Sequence, residues 1–326
     1  MANLSVSYMK LNLKSPLILG SCGLTNSIEN LLKAEKAGFG AVVLKSVFEE
    51  QIKHDANTVI RKDDSSFSSS FDYISQYQEI ESLEKHFSLI RKAKKELSIP
   101  VMASINCFSS DGWTSYAKSI EESGADALEV NYFLLPTDFD KTADQYFKSY
   151  ITLIENLKKC ISIPIALKTS SYMTDLAHFM QKLSYTGIDA LALFNRFVSP
   201  DINLDTMEFT STNKFSTPVE LSNVLRWIGI LSGNLRCSLS ATTGCHDAEG
   251  MIKLLLAGAD TVQASSIFYK NGIEYGETIL QNLSQWMKKH HFASIDDFKG
   301  KMSYKNVNDP SAYFRIQFMK HMSGIE

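Results

Sequence analysis

Leu255-Leu256-Ala257-Gly258-Ala259-Asp260-Thr261-Val262-Gln263 is the stretch that decides the fold. An apolar helical run stops at a glycine, which tolerates the left-handed conformation at a helix end, and a second apolar run begins at once. The phrase has three more copies: Ala37-Gly38-Phe39-Gly40-Ala41, Ser123-Gly124-Ala125-Asp126-Ala127 and Thr186-Gly187-Ile188-Asp189-Ala190. Each reads as a joint at which a helix hands the chain to a buried parallel strand. Joints of this kind predict an α/β fold, a (β/α)8 TIM barrel. The barrel is expected to be a single domain over residues 1–326, with residues 296–326 an appendage on its wall and long loops over its C-terminal face. Such barrels carry their chemistry where the strands end.

Eight short apolar runs supply the strands: Leu17–Gly20, Ala41–Ser46, Pro100–Asn106, Ala127–Asn131, Pro164–Ser170, Ala190–Asn195, Ser238–Gly244 and Thr261–Ser266. Continuous rather than alternating apolar character is expected of strands covered on both faces. Helices are expected between them, among others over Ile74–Leu97, Trp113–Ser123, Ala143–Cys160, Thr174–Thr186 and Ala248–Ala257, with Glu274–His290 after the last strand. Two connections, residues 47–75 and 196–222, are too long for simple loops. Both leave the C-terminal ends of strands, where long insertions tend to be functional.

Bulk properties narrow the function. The chain has 33 basic and 36 acidic residues, a net charge of −3, which gives no reason to expect nucleic acid or an anionic membrane as partner. No apolar stretch is long enough to span a bilayer, and the first twenty residues show no export signal, so a cytoplasmic protein is expected. The five cysteines are scattered without a CxxC pair, which argues against a zinc or iron–sulfur site, and no metal is expected.

The strand ends are rich in polar groups. Lys45 and Lys168 end the second and fifth strands. Each alone reads equally as an ion-pair partner, but two at one mouth point to an anionic or electron-rich ligand, because an unpaired buried ammonium is costly. Asn106, Asn131 and Asn195 end the third, fourth and sixth, where they suit either amide recognition or turn capping. After the seventh and eighth come Thr243-Gly244-Cys245 and Ser265-Ser266, the place of the phosphate site in many barrels. Asp247 and Glu249 follow in the next helix and would have to point away. A phosphate site plus two lysines describes a pocket for FMN, with one lysine near the flavin's electron-rich edge.

At this point the chain resembles the dihydroorotate dehydrogenase family, FMN-dependent barrels of pyrimidine synthesis. The resemblance rests on Pro16-Leu17-Ile18-Leu19-Gly20-Ser21, Leu44-Lys45-Ser46, Glu129-Val130-Asn131, Ala166-Leu167-Lys168, Asn195, Thr243-Gly244 and the opening stretch. It implies an oxidoreductase acting on a CH–CH bond, by default dihydroorotate to orotate. It implies an FMN site formed by Gly20, Ser21, Lys45, Ser46, Asn131, Lys168, Thr243, Gly244, Ser265 and Ser266. It implies a small-molecule substrate held by Lys45, Asn106, Asn131 and Asn195. A homodimer is common in the family.

One departure matters. The family usually continues Asn-x-Ser-Cys-Pro-Asn after the fourth strand, and in soluble members this cysteine removes a proton from dihydroorotate. Here Asn131 is followed by Tyr132-Phe133-Leu134-Leu135-Pro136-Thr137-Asp138, which puts Leu134 in the cysteine's place. Candidates for catalytic work are then Cys245, whose thiol a helix N-terminus would activate, Asp138, which reads equally as a helix N-cap, and Lys45. His246 reads as a cap or surface residue. Two other readings stay open: a non-catalytic or regulatory barrel that binds FMN or another phosphorylated ligand, and a non-flavin aldolase or isomerase with Lys168 as Schiff-base nucleophile.

Overall fold

Aspartate follows glycine at three of the four joints, and the structure shows why. Asp126 accepts from the Val101 N–H at 2.7 Å, Asp189 from the Ile165 N–H at 2.9 Å and Asp260 from the Leu239 N–H at 2.8 Å. Each carboxylate thus holds the first residues of the neighbouring parallel strand. Each also pairs with a lysine of the outer layer: Lys94, Lys158 and Lys299. The joint glycines Gly38, Gly124, Gly187 and Gly258 have φ between +85° and +115°, as the sequence predicts. A second repeat works alongside. The side chains of Glu35 and Glu121 accept from Ser98 and Ser162, which open the two Ser-Ile-Pro turns leading into strands.

These joints connect a closed barrel in a computed structural model that describes residues 2–48, 83–106, 113–132, 134–211 and 214–314. The hairpin β1 (Val6–Tyr8) and β2 (Leu11–Leu13) comes first. The barrel strands are β3 (Leu17–Leu19), β4 (Ala41–Val43), β6 (Val101–Asn106), β7 (Ala127–Asn131), β8 (Ile165–Thr169), β9 (Ala190–Leu193), β12 (Ser238–Thr242) and β13 (Thr261–Ala264). All pair in parallel, and β4 pairs with both β3 and β6, which closes the ring. The outer layer is formed by α1 (Ile28–Lys36), α2 (residues 83–96), α3 (Trp113–Glu122), α4 (Ala143–Cys160), α5 (Leu176–Ser184), α6 (Leu221–Leu231), α7 (Ala248–Ala257) and, after the short α8 (Ser266–Asn271), α9 (Tyr275–Lys289). Buried Val, Leu, Ile and Ala of the strands form one core with the inner faces of these helices.

Three features depart from the sequence reading. The second strand, expected over Ala41–Ser46, stops at Val43 and resumes as β5 (Val47–Phe48), because the Ser46 N–H is bonded to the Ser21 hydroxyl at 3.0 Å. The hairpin β1–β2 closes the N-terminal end of the barrel, with Tyr8 and Met9 buried and the Met9 N–H on the Ser238 hydroxyl at 3.2 Å. The connection 196–222 is not structureless: it forms the antiparallel hairpin β10 (Pro200–Asn203) and β11 (Glu208–Ser211). The other long connection lies outside the described residues beyond Phe48. Beyond Ile295 the chain runs along α6 and α7, bonding through Gly300, Met302 and Tyr304 N–H groups to the Leu255, Leu256 and Gly229 carbonyls.

Candidate active site

A charged residue in the middle of a buried strand must face the barrel axis or a partner, and Glu129 does both. Its carboxylate accepts from Gln263 Nε2 at 2.7 Å, across the barrel from β7 to β13. Lys168 Nζ, from the neighbouring β8, lies 3.4 Å from Glu129 Oε1 and 3.4 Å from Gln263 Oε1. The Lys168 side chain is 12% exposed and that of Glu129 1%, so the ammonium alone reaches the open end. These surroundings are a carboxylate and an amide, not the apolar site that the Schiff-base reading of Lys168 requires.

Above this layer the strand ends cross-connect. Asn195 Nδ2 donates to Asn131 Oδ1, which joins the ends of two strands on either side of Lys168. Asn106 is buried at the end of β6, in register with Asn131. Hydroxyls run in a chain from Ser21 to Ser46 (3.1 Å) and from Ser46 to Ser104 (2.7 Å). Lys45 stands next to this chain, half-buried and without a hydrogen-bond or ion-pair partner among the described residues.

A cleft of about 150 Å3 opens between these groups and the two turns that follow β12 and β13. Ser21, Lys168 and Asn195 line one side; Thr243, Gly244, Ser265 and Ser266 line the other. Gly20, Lys45, Ser46, Asn106 and Asn131, also expected at the site, are not part of its lining. Gly244 has φ +84°, and a Cβ there would lie 2.3 Å from the Leu221 N, so no other residue fits. Thr243 shares the left-handed conformation (φ +83°), an outlier for a β-branched residue, and donates its hydroxyl to the Phe194 carbonyl at 3.1 Å. Ser265 likewise donates to the Gly20 carbonyl at 3.1 Å. Of the three hydroxyls on these turns, those of Thr243, Ser265 and Ser266, two are therefore engaged by the backbone. Ser266, which accepts from the Ser216 N–H, keeps its hydrogen. Among the described residues nothing accepts from the backbone N–H groups of Gly244, Cys245 or Ser265. Unmet N–H groups on two adjoining turns, with a free hydroxyl and the Lys168 ammonium nearby, form a donor set that suits a phosphate. Asp247 and Glu249 take no part: the first caps α7 through the Gly250 N–H at 2.7 Å and the second pairs with Lys253.

A strap closes the turn side of the cleft. Ser216 is buried, its hydroxyl 3.0 Å from His246 Nε2. Arg196 lines the cleft and donates to Glu220 at 2.7 Å, while Glu220 caps the Thr217 N–H. His246 is thus an interior residue rather than a cap or surface one, and burial pushes its imidazole down from the ordinary value.

The family described as dihydroorotate dehydrogenase matches residues 3–287. The chain belongs to the dihydroorotate dehydrogenase family. Its curated relatives are distant but span most of it. It is 22% identical over 331 residues to the chloroplastic dihydropyrimidine dehydrogenase (NADP+) of Arabidopsis thaliana, covering 91% of this chain and 76% of that one. It is 22% identical to the catalytic subunit of dihydroorotate dehydrogenase B (NAD+) of Thermoplasma acidophilum, covering 92% and 99%. It is 23% identical to the NAD-dependent dihydropyrimidine dehydrogenase subunit PreA of Escherichia coli K12, covering 91% and 76%. The family is one of flavin-dependent dehydrogenases.

The resemblance draws attention to the segment after Asn131. Leu134, in the place the resemblance gives to a cysteine, is half-buried, and its N–H donates to the Tyr150 hydroxyl at 3.0 Å. Tyr132 packs edge-on against the same Tyr150 ring, centroids 4.7 Å apart. Asp138 is not drawn into the cleft. It is exposed, bonded to Lys141 at 3.0 Å, and that contact lowers its pKa. Nor does it cap α4, whose N-cap is Thr142. Cys245 lines the cleft, but burial pushes its thiol up to about 12, the opposite of the activation expected from a helix N-terminus. Cys107 lies outside the described residues. Sequence reasoning missed Glu129 and Gln263 as the frame of Lys168, and Arg196 and Ser216 as cleft residues. The first pair was visible as polar residues inside apolar strand runs.

Proposed function

We propose that this chain is an FMN-dependent oxidoreductase acting on a CH–CH bond of a small cyclic amide. Dihydroorotate is the substrate the family name supplies, and a dihydropyrimidine is the one two relatives' names supply. The observation that carries the reading is the grouping of Lys168, Asn195, Gly244 and Ser265 around one cleft in a chain of this family.

FMN, when bound, supplies a two-electron acceptor for hydride. Its phosphate is assigned to the N–H groups of Gly244, Cys245 and Ser265 and to the Ser266 hydroxyl. Ser21 and Thr243 line the cleft, Gly20 and Ser46 stand behind it through their bonds to Ser265 and Ser21, and Lys168 supplies positive charge held in place by Glu129 and Gln263. Lys45, Asn106, Asn131 and Asn195 are assigned to the substrate, whose amide edges match the donors and acceptors of asparagine. Among the residues on the loop after β7, Leu134 offers no proton acceptor. A positioned base contributes roughly 10²–10⁴ in rate, so oxidation of dihydroorotate is expected to be slow in this chain.

The purified protein is expected to be yellow and to release FMN on denaturation. Under nitrogen, dihydroorotate and 5,6-dihydrouracil are added in turn, and bleaching of the flavin band identifies the substrate class. A colourless protein that takes up no added FMN overturns the reading. Leu134 also favours a second reading, an FMN-binding barrel without catalysis. It predicts that dithionite-reduced protein is reoxidised by oxygen and by no added pyrimidine.

A further inference from the structure

Both cations of the cleft are answered from behind. Among the described residues that line it, none carries a carboxylate, and two, Lys168 and Arg196, are cations. Each meets one carboxylate set back from the lining: Arg196 bonds Glu220 at 2.7 Å, and Lys168 lies 3.4 Å from Glu129. The two carboxylates differ in their surroundings. The Glu220 side chain is 33% exposed, so solvent and salt screen its charge, whereas that of Glu129 is 1% exposed inside the barrel and is screened little. Of the two, Glu129 is the one whose charge reaches the cleft.

Glu129, Lys168 and Gln263 close a ring of contacts. Lys168 Nζ reaches Glu129 Oε1 and Gln263 Oε1, each at 3.4 Å, and Gln263 Nε2 donates to Glu129 Oε2 at 2.7 Å. Both carboxylate oxygens are thereby engaged, and of the ammonium hydrogens only what the ring does not use is left for the cleft. Lys168 therefore brings the cleft a donor with a negative charge fixed directly behind it. Lys45 has no such counter-charge among the described residues.

We propose that Glu129 is a positioning residue that sets the reduction potential of the bound flavin through Lys168. Reduction puts negative charge on a flavin, so a cation beside it raises the potential, and a carboxylate behind that cation lowers it again. Glu129 trims the charge that Lys168 brings while keeping the lysine in place. This role rests on the FMN reading above and goes beyond it in assigning a function to the carboxylate's charge.

Anaerobic equilibration of the FMN-loaded protein with an indicator dye reads the potential. Glu129→Gln keeps the shape and removes the charge. It is expected to shift the two-electron equilibrium at least about tenfold toward reduced flavin, a rise of about 30 mV. Glu129→Asp keeps the charge and is expected to stay close to the wild-type potential; a role in shape alone predicts the reverse order of the two variants. Glu220→Gln, which removes the screened carboxylate, is expected to move the potential far less than Glu129→Gln. If Glu129→Gln does not retain FMN, Gln263→Lys, which offsets the same charge from the other side, is expected to raise the potential likewise. Protein that takes up no FMN overturns this role together with the flavin reading. A flavin-loaded Glu129→Gln chain, or Gln263→Lys in its stead, that keeps the wild-type potential overturns this role alone.

Discussion

Lys168 Nζ lies 3.4 Å from the Glu129 carboxylate, and the latter is almost wholly enclosed. Removing one member of such a pair leaves the other buried and unmatched, which costs about 3–5 kcal/mol, whereas removing both costs far less. Glu129→Ala is therefore expected to lower the urea midpoint more than the double variant Glu129→Ala/Lys168→Met. Urea unfolding of the cofactor-free protein measures the difference.

The joint carboxylates are expected to matter more through the backbone than through their lysines. Asp189→Ala leaves the Ile165 N–H without its acceptor and is expected to cost roughly 1–3 kcal/mol. Lys158→Ala removes only a partly exposed ion pair and is expected to cost under about 1 kcal/mol. Paired urea curves rank the two.

Cys245 is expected to be chemically quiet. With its thiol pushed up to about 12 by burial, almost none is thiolate near pH 8. Iodoacetamide followed by peptide mass analysis is expected to label Cys245 only after denaturation. Cys245→Ala is expected to hold turnover within about twofold of the parent, since no proton transfer depends on it.

His86, buried in α2, has an imidazole that burial pushes down to about 4. The unfolded chain takes up a proton near pH 6.5, and the folded chain does not until about 4. Stability is therefore full above pH 6.5 and declines as pH falls through that window, by up to roughly 3 kcal/mol. His246, shifted the same way, adds to the slope with the same sign. His86→Leu is expected to flatten the urea midpoint between pH 6.5 and 4 relative to wild type.

Leu134→Cys places a thiol where the family resemblance has one. If dihydroorotate reduces the flavin, this variant is expected to speed anaerobic bleaching at least tenfold, toward the 10²–10⁴ a base contributes. Stopped-flow absorbance with both chains gives the ratio.

Much of this architecture was legible because a few residues carry one meaning wherever they occur. A glycine between an apolar helix and an apolar strand has one structural reading, and α4 and α7 begin and end where their sequences say. Apart from the second strand, which stops three residues early, the strand ends were placed to within two residues, which sufficed to bring Lys168, Asn195 and Gly244 to one cleft. Pairing partners were not legible. Nothing local to Thr243 or Ser265 says that their hydroxyls turn to the Phe194 and Gly20 carbonyls, nor that His246 meets Ser216 thirty residues away. Those contacts depend on how a long connection folds back. Its hairpin was invisible because each short strand holds a single strongly apolar residue, Ile202 or Phe209. The Cys245 thiol was misjudged for a related reason: helix position is written in the chain, and depth of burial is not.

The three aspartates that hold strand starts all sit at the opposite end of the barrel from the cleft. The rivets that keep the staves together are thus remote from the rim where ligands are chosen. Substitutions at the rim, where Leu134 and the hairpin sit, can therefore alter what is bound while the hull beneath stays watertight.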